Sequence, residues 1–215
     1  MKLFLKLLLV SILVASASAR AADPAPDVLI KEVTQEVFTI FREEKAIRAG
    51  NRKKIFAVIE AKVLPSFDFN RLTKLAAGKY WLSASEEQKR ALTKEFKDLL
   101  VRTYFNEFVS FKDKMIDVKP LRMPPSDTEA TVKTQIIQPG GAPLNLEFSM
   151  WKTPQGWKIY DVSVEGIGAV ATYRTIFSSE IQRVGMDGLI KSLADKNRVA
   201  DQDDRQVTPK ASRNK

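Results

Sequence analysis

The sequence predicts an α+β fold of one domain, in which an antiparallel meander of about four strands is covered by helices. The period of the apolar residues carries this expectation. It runs at three- and four-residue steps up to about Phe111, alternates with polar neighbours between Ile116 and Val164, and returns to the helical step after Gly168. The helical stretches flank the strands instead of alternating with them, which separates this order from a parallel α/β sheet. A chain of 215 residues holds one sizeable core rather than two.

Leu29, Val33, Val37, Ile40 and Phe41 share a helical face, and the spacing predicts a helix over 27–49. Asn51 is placed to cap a second helix carrying Ile55, Val58, Ile59 and Val63, stopped by Pro65. Asp68 is placed to cap a third, short one with Phe69, Leu72, Leu75 and Ala76 inward and Gly78 as terminator. Ser85 and Gln88 have capping-box spacing and open what reads as the longest helix, through Leu92, Phe96, Leu100, Tyr104 and Phe108 to near Phe111.

Four strands follow. They are expected at Ile116–Met123, around Val132–Ile136, around Leu144–Met150 and at Trp157–Val164. Pro139–Pro143 and Thr153–Gly156 supply the hairpin turns. Val170 to Val184 then reads as a helix and Met186 to Leu193 as a shorter one, with a polar, disordered tail after Lys196, covering 198–215. The strand face is too apolar to stay wet, so helices must cover it. A curved sheet under helices can enclose a cavity, but composition does not say whether that space is filled.

Composition narrows the chemistry. Lys2, a Leu-rich run to Val14 and the small residues before Ala21 read as a cleaved secretory signal over 1–21; the apolar stretch Leu7–Ala15 is short of the roughly 20 residues that cross a bilayer. With Cys absent there is no disulfide framework and no lipid-modified cysteine near the cleavage site. With His absent, Ser-His-Asp catalysis, histidine metal sites and imidazole acid/base chemistry are excluded. The net charge is +9, of which Lys2, Lys6 and Arg20 in the signal carry three. Such a balance suits anionic lipid headgroups or acidic proteins, and export disfavours nucleic acid. Gly78-Lys79-Tyr80 lacks the glycine spacing and the hydroxyl of a phosphate-binding loop, so no nucleotide chemistry is expected in this chain. Asp68 is better placed as a helix cap than as an acid, and Asp161, with Glu147 or Glu165, has no spacing that selects glycoside chemistry.

The segments VLPSFDFNRLTKLAAGKYW (63–81), LLVRTY (99–104), WKIYDVSVEGIG (157–168) and GMDGLIKSLADKN (185–197) resemble, in order and spacing, the MlaC or toluene-tolerance family of periplasmic phospholipid carriers, from about Asp27 to Asn197. The resemblance implies a twisted sheet wrapped by helices, nuclear-transport-factor-like or cystatin-like in shape, with lipid tails in an internal apolar pocket. It also implies a soluble, monomeric periplasmic protein with no cofactor besides bound phospholipid. Its partners would be an inner-membrane ring transporter of mammalian-cell-entry domains with an ATPase, and an outer-membrane lipoprotein–porin complex. A role in outer-membrane lipid asymmetry and organic-solvent tolerance follows from the same source, and the chain is then not an enzyme.

On that footing the lipid wall is expected from Phe67, Phe69, Leu72, Leu75, Tyr104, Phe108, Leu146, Phe148, Val162, Val164, Val170, Tyr173 and Ile176, each with ordinary core packing as its alternative. Tyr80, Tyr104, Tyr160 and Tyr173 combine an apolar ring with a polar tip that suits a pocket mouth. Arg71, Lys74, Lys79 and Tyr80 are candidates for headgroup or partner contact, against the alternative of a solvated helix face. A cavity-bearing enzyme and a protein-binding adaptor remain the competing functions.

Overall fold

A computed structural model of the chain describes residues 23–110, 114–137 and 140–207, without the side chains of 107, 108 and 201–207. The expected signal peptide, Phe111, Pro139 and the end of the tail from 208 lie outside the described residues. The element order is α1 (Pro26–Glu43), α2 (Lys45–Arg48), α3 (Arg52–Val58), a π-helical turn (Ile59–Val63), a 3-10 turn (Leu64–Ser66), α4 (Phe69–Ala77), a second 3-10 turn (Gly78–Trp81), α5 (Glu86–Thr103) and α6 (Phe105–Ser110). Strands β1 (Met115–Val118), β2 (Glu129–Ile137), β3 (Leu144–Thr153), β4 (Gly156–Val164) and β5 (Ile167–Gly168) precede α7 (Ala169–Val207). The sheet is an antiparallel meander in the order β1-β2-β3-β4-β5. The α+β expectation holds, with one more strand than the alternation indicated.

The caps work as the sequence indicated. Asn51 accepts the Lys54 amide at 3.1 Å, Asp68 accepts the Arg71 amide at 2.8 Å, and Ser85 and Gln88 bond reciprocally at 3.0 and 3.1 Å. α4 ends at Gly78, whose φ is 57°.

Several boundaries differ. The helix expected over 27–49 breaks at Glu44 (ψ 109°), and Ile47 beyond the break is buried in the same cluster as Phe41. The second helix ends as regular α at Val58 and runs through the π and 3-10 turns to Ser66, with Pro65 inside the last. α5 stops at Tyr104 and resumes as α6. Neither Glu44 nor Tyr104 is a helix breaker by type, so periodicity read straight through both.

The strand expected over Ile116–Met123 is short because Pro120 has no amide to donate; Leu121 instead donates to the Asp27 carboxylate at 3.1 Å, tying this loop to the start of α1. β5 is two residues long and left no alternation to read. α7 is two helices that meet at Gly185, as the sequence indicated: the backbone there is not helical (φ 75°, ψ 177°) and a side chain would be strained, while a Cβ on Gly188 would sit 2.5 Å from Val184. Its second part runs well beyond the expected end at Leu193 and outlasts the helix opened by Ser85. α7 continues to Val207, into the stretch expected to be a disordered tail, and Asn197 on it is buried with its amide on the Glu95 carbonyl and carboxylate, both at 2.9 Å.

α4, α5 and α7 pack together around Phe96, whose ring meets Tyr173 and Phe177 edge-on with centroids 4.7 Å away. Those two rings cannot collapse into the space Phe96 fills without leaving their own neighbours. Phe96→Ala should therefore lower unfolding free energy by about 3–5 kcal/mol, read by urea denaturation. A loss under about 1 kcal/mol would mean the helical layer repacks freely.

Candidate functional site

The buried apolar residues fall into separate clusters, where a domain of this size usually has one contiguous core. One lies between α4, α5 and α7; a second joins α1, α2, α3 and Phe105; a third covers the apolar face of the sheet around Val132, Met150 and Ile159. The helical layer meets the sheet along β4, through α4 and α7, while α1 covers β1 and β2.

Half-buried side chains border this seam, and most of the expected wall is among them. Phe69, Leu75 and Tyr173 pack on the helical cluster, while Phe67, Phe148 and Val162 pack on the sheet cluster. The Phe67 and Phe69 rings stack with centroids 5.4 Å apart, so this pair closes the seam from both sides. Leu146 is half-buried opposite Val164 on the same sheet face. Leu72 and Val170, at 2 % and 7 % exposure, lie deep in the helical cluster. Tyr104, Val164 and Ile176 are not interior: they expose 45, 36 and 46 % of their surface. The side chain of Phe108 lies outside the described residues. Sequence reasoning missed Met115 and Ile167, which with Val164 leave an exposed apolar rim at the sheet end where β1 begins and β4 turns into β5. It also missed a cleft of about 150 Å³ between the π turn and α5, lined by Phe56, Ile59, Leu64 and Val101 with Glu60, Lys97, Asp98 and Arg102.

The residues expected at a headgroup part company. Arg71 is used inside the fold: its guanidinium lies 4.4 Å from the Trp151 ring and 4.6 Å from the Tyr160 ring, with Glu129 at 2.5 Å. Lys74 is exposed, and the Lys79 ammonium stands 5.2 Å from the Tyr80 ring. Tyr80 lies against α7, where hydrogen bonds with Ser178 and Gln182 lower its pKa. Tyr173 behaves differently: burial raises its pKa, the nearby Tyr104 phenol adds to this, and a hydrogen bond with Thr103 opposes it.

The carboxylates once open to an acid/base role are occupied by structure. Asp68 caps α4 with one oxygen and accepts the Trp151 indole N–H at 3.1 Å with the other, while its own amide donates to the Ile159 carbonyl at 2.7 Å. Asp161 accepts the amides of Val162 at 2.9 Å and Val170 at 3.0 Å and so caps α7 from within β4. A Cβ on Gly168 would come within 2.8 Å of this carboxylate, so only glycine lets the chain pass. Burial raises the Asp161 pKa against the pull of these amides and of Arg174. Glu165 accepts the Asn145 amide at 2.6 Å, which lowers its pKa. Among the described residues no group of acidic, His or Cys side chains has the arrangement of a metal site, and no helix is long and apolar enough to cross a membrane.

The MlaC protein family model matches residues 31–195. A toluene tolerance protein, ttg2D, of Pseudomonas putida is 23 % identical over 180 residues, 83 % of each chain. The solved structure of a phospholipid-binding protein from Ralstonia solanacearum, in complex with a phospholipid, superposes with a TM-score of 0.75 at 30 % identity, covering 82 % of this chain and 99 % of that one.

Replacing Arg71 by Lys keeps the charge but loses the planar contact with both rings. It should lower stability by about 1 kcal/mol and shift tryptophan fluorescence. An unchanged stability would free Arg71 for a ligand. Asp161 generates a pH prediction. Its native carboxyl holds a proton more tightly than the unfolded chain does, so the native state binds more protons just above the usual aspartate range and stability falls as pH rises through that window. Asp161→Asn should flatten this slope in urea titrations across mildly acidic pH, and Asp161→Ala should cost a further ~1 kcal/mol or so from the lost cap.

Proposed function

The chain belongs to the MlaC protein family, and from that premise we propose that it is a periplasmic phospholipid carrier rather than an enzyme. The observation that carries this reading is the neighbour solved with a phospholipid, nearly all of which this chain covers at 30 % identity. The seam between the helical layer and the sheet is where acyl tails would lie, bordered by Phe67, Phe69, Leu75, Phe148, Val162 and Tyr173.

The thermodynamics of the task fit such a lining. Each methylene leaving water is worth about 0.8 kcal/mol, so a protein that withdraws a tail from a bilayer must offer it surroundings equally dry. Two-tailed lipid needs more room than the 150 Å³ cleft beside α5 offers, small-molecule sites typically starting near ~300 Å³. Room comes from parting the seam, where the two layers already end in half-buried side chains. Chemistry on the lipid lacks support: the chain has no His, and Asp161 and Glu165 are turned to backbone amides. In this reading the protein shuttles glycerophospholipid between an outer-membrane lipoprotein–porin complex and an inner-membrane ring transporter of mammalian-cell-entry domains, whose ATPase supplies the energy. The service is the lipid asymmetry of the outer membrane.

Native mass spectrometry of protein purified without detergent should show the added mass of intact phospholipid. Phe148→Asp places a charge on the sheet side of the seam and should lower occupancy about tenfold or more, given the cost of burying an unpaired carboxylate, while circular dichroism changes little. Lipid-free protein in repeated preparations would sink the carrier reading. Full occupancy in a folded Phe148→Asp variant would remove this residue from the wall.

A further inference from the structure

The segment 42–54 holds six cations against Glu43 and Glu44. Arg42 is engaged with the Thr39 hydroxyl at 3.4 Å, and Arg52 with the Phe105 ring, 4.1 Å from its centroid. Lys45, Arg48, Lys53 and Lys54 are exposed and have no ion-pair partner among the described residues. Elsewhere many surface cations are paired, as in Lys62–Glu36, Lys94–Asp98, Arg183–Glu180 and Lys191–Asp195. The fold gathers these four: α2 and α3 form a short hairpin whose Ile47 and Ile55 are buried at 1 % and 2 % exposure, with Arg48, Lys53 and Lys54 exposed between them and Lys45 exposed at the start of α2. Arg48 to Asn51 are all exposed, and nothing lies within 4 Å of where a Gly50 Cβ would stand, so the turn projects.

We propose that this basic turn is the face on which the protein settles on an anionic phospholipid bilayer while it exchanges lipid, an inference that rests on the carrier reading. The composition of the turn selects a bilayer over an acidic protein. Protein interfaces are built on aromatic and arginine anchors and are depleted in lysine, whereas three of these four cations are lysines and none of the exposed large apolar residues lies between 42 and 58. Flexible point charges suit a diffuse layer of phosphates. Each is worth roughly fivefold in affinity near an anionic leaflet, and without an inserted apolar anchor the attachment stays reversible, as a carrier requires.

The test follows uptake of a fluorescent phospholipid by the full chain, from vesicles of phosphatidylcholine alone or with about one third phosphatidylglycerol. Uptake should be at least about tenfold faster from the anionic vesicles, and this advantage should vanish in ~0.5 M salt. The quadruple reversal Lys45→Glu, Arg48→Glu, Lys53→Glu, Lys54→Glu should abolish the advantage while leaving final lipid occupancy and circular dichroism unchanged. A control pair, Lys152→Glu with Lys196→Glu, should keep it. Should the reversal impair folding, the corresponding four-glutamine variant should still lose most of the advantage. Equal uptake from both vesicles by the unaltered protein, or an advantage that survives reversal, overturns the proposal. A reversal that slows uptake from native membranes but not from protein-free vesicles overturns it in favour of an acidic protein. Co-sedimentation separates the two readings: selective binding to anionic vesicles without uptake speaks for the docking face and against carrying.

Discussion

α4 and α7 meet the sheet mainly along β4, and two aspartates make that joint. Asp68 holds the start of α4 against Trp151, and its amide is fixed to the Ile159 carbonyl, with the Lys158 ammonium on the Pro65 carbonyl at 2.6 Å beside it. Asp161, near the other end of the same strand, holds the first amides of α7. Both are partly buried polar contacts, where loss of one partner strands the other. The layers are thus located by directed bonds at one line, and elsewhere each completes its own apolar cluster.

This division bears on the carrier reading. A close-packed single core resists any insertion, because separating interdigitated side chains forfeits their contacts. Here the contacts that make the helical layer stable, such as Phe96 with Tyr173 and Phe177, lie within that layer, and the sheet's own cluster is completed by Ile30 of α1. Parting the seam disturbs the stacked pair Phe67–Phe69 and the half-buried border, while the joint at β4 keeps the layers in register.

The caps were legible because they are local: a side-chain oxygen and an amide three residues on need no tertiary information, and Asn51, Asp68 and Ser85 all capped as spacing indicated. The meander was legible for the same reason, through alternation and turns. Breaks at Glu44 and Tyr104 were not, since neither residue type interrupts a helix and the apolar period runs through both. Among the expected wall residues, spacing put Tyr104, Val164 and Ile176 inward, where the fold leaves them exposed, and it did not tell deep from bordering positions. Leu72 and Leu75 looked equivalent on α4, yet Leu72 is sealed in the helical cluster and Leu75 borders the seam. The capping role of Asp161 was not legible because its partner, the Val170 amide of α7, lies across a chain reversal from it.

The cations show the same limit from the side of charge. Arg71, within the segment that most resembles the family, drew attention as a ligand for phosphate, and the fold consumed it between Trp151, Tyr160 and Glu129. The sequence singled out none of the lysines of α2 and α3, and the fold leaves Lys45, Lys53 and Lys54 exposed, with no ion-pair partner among the described residues. A cation's residue type fixes its charge, but what folds beside it decides whether that charge is available. Half-buried between two rings, Arg71 would have to break a packed contact before meeting an outside phosphate, whereas an exposed lysine of α2 or α3 gives up only water and rotamer freedom. An anionic surface therefore meets the exposed cations of α2 and α3 at less cost than it meets Arg71, even though the sequence drew the eye to α4.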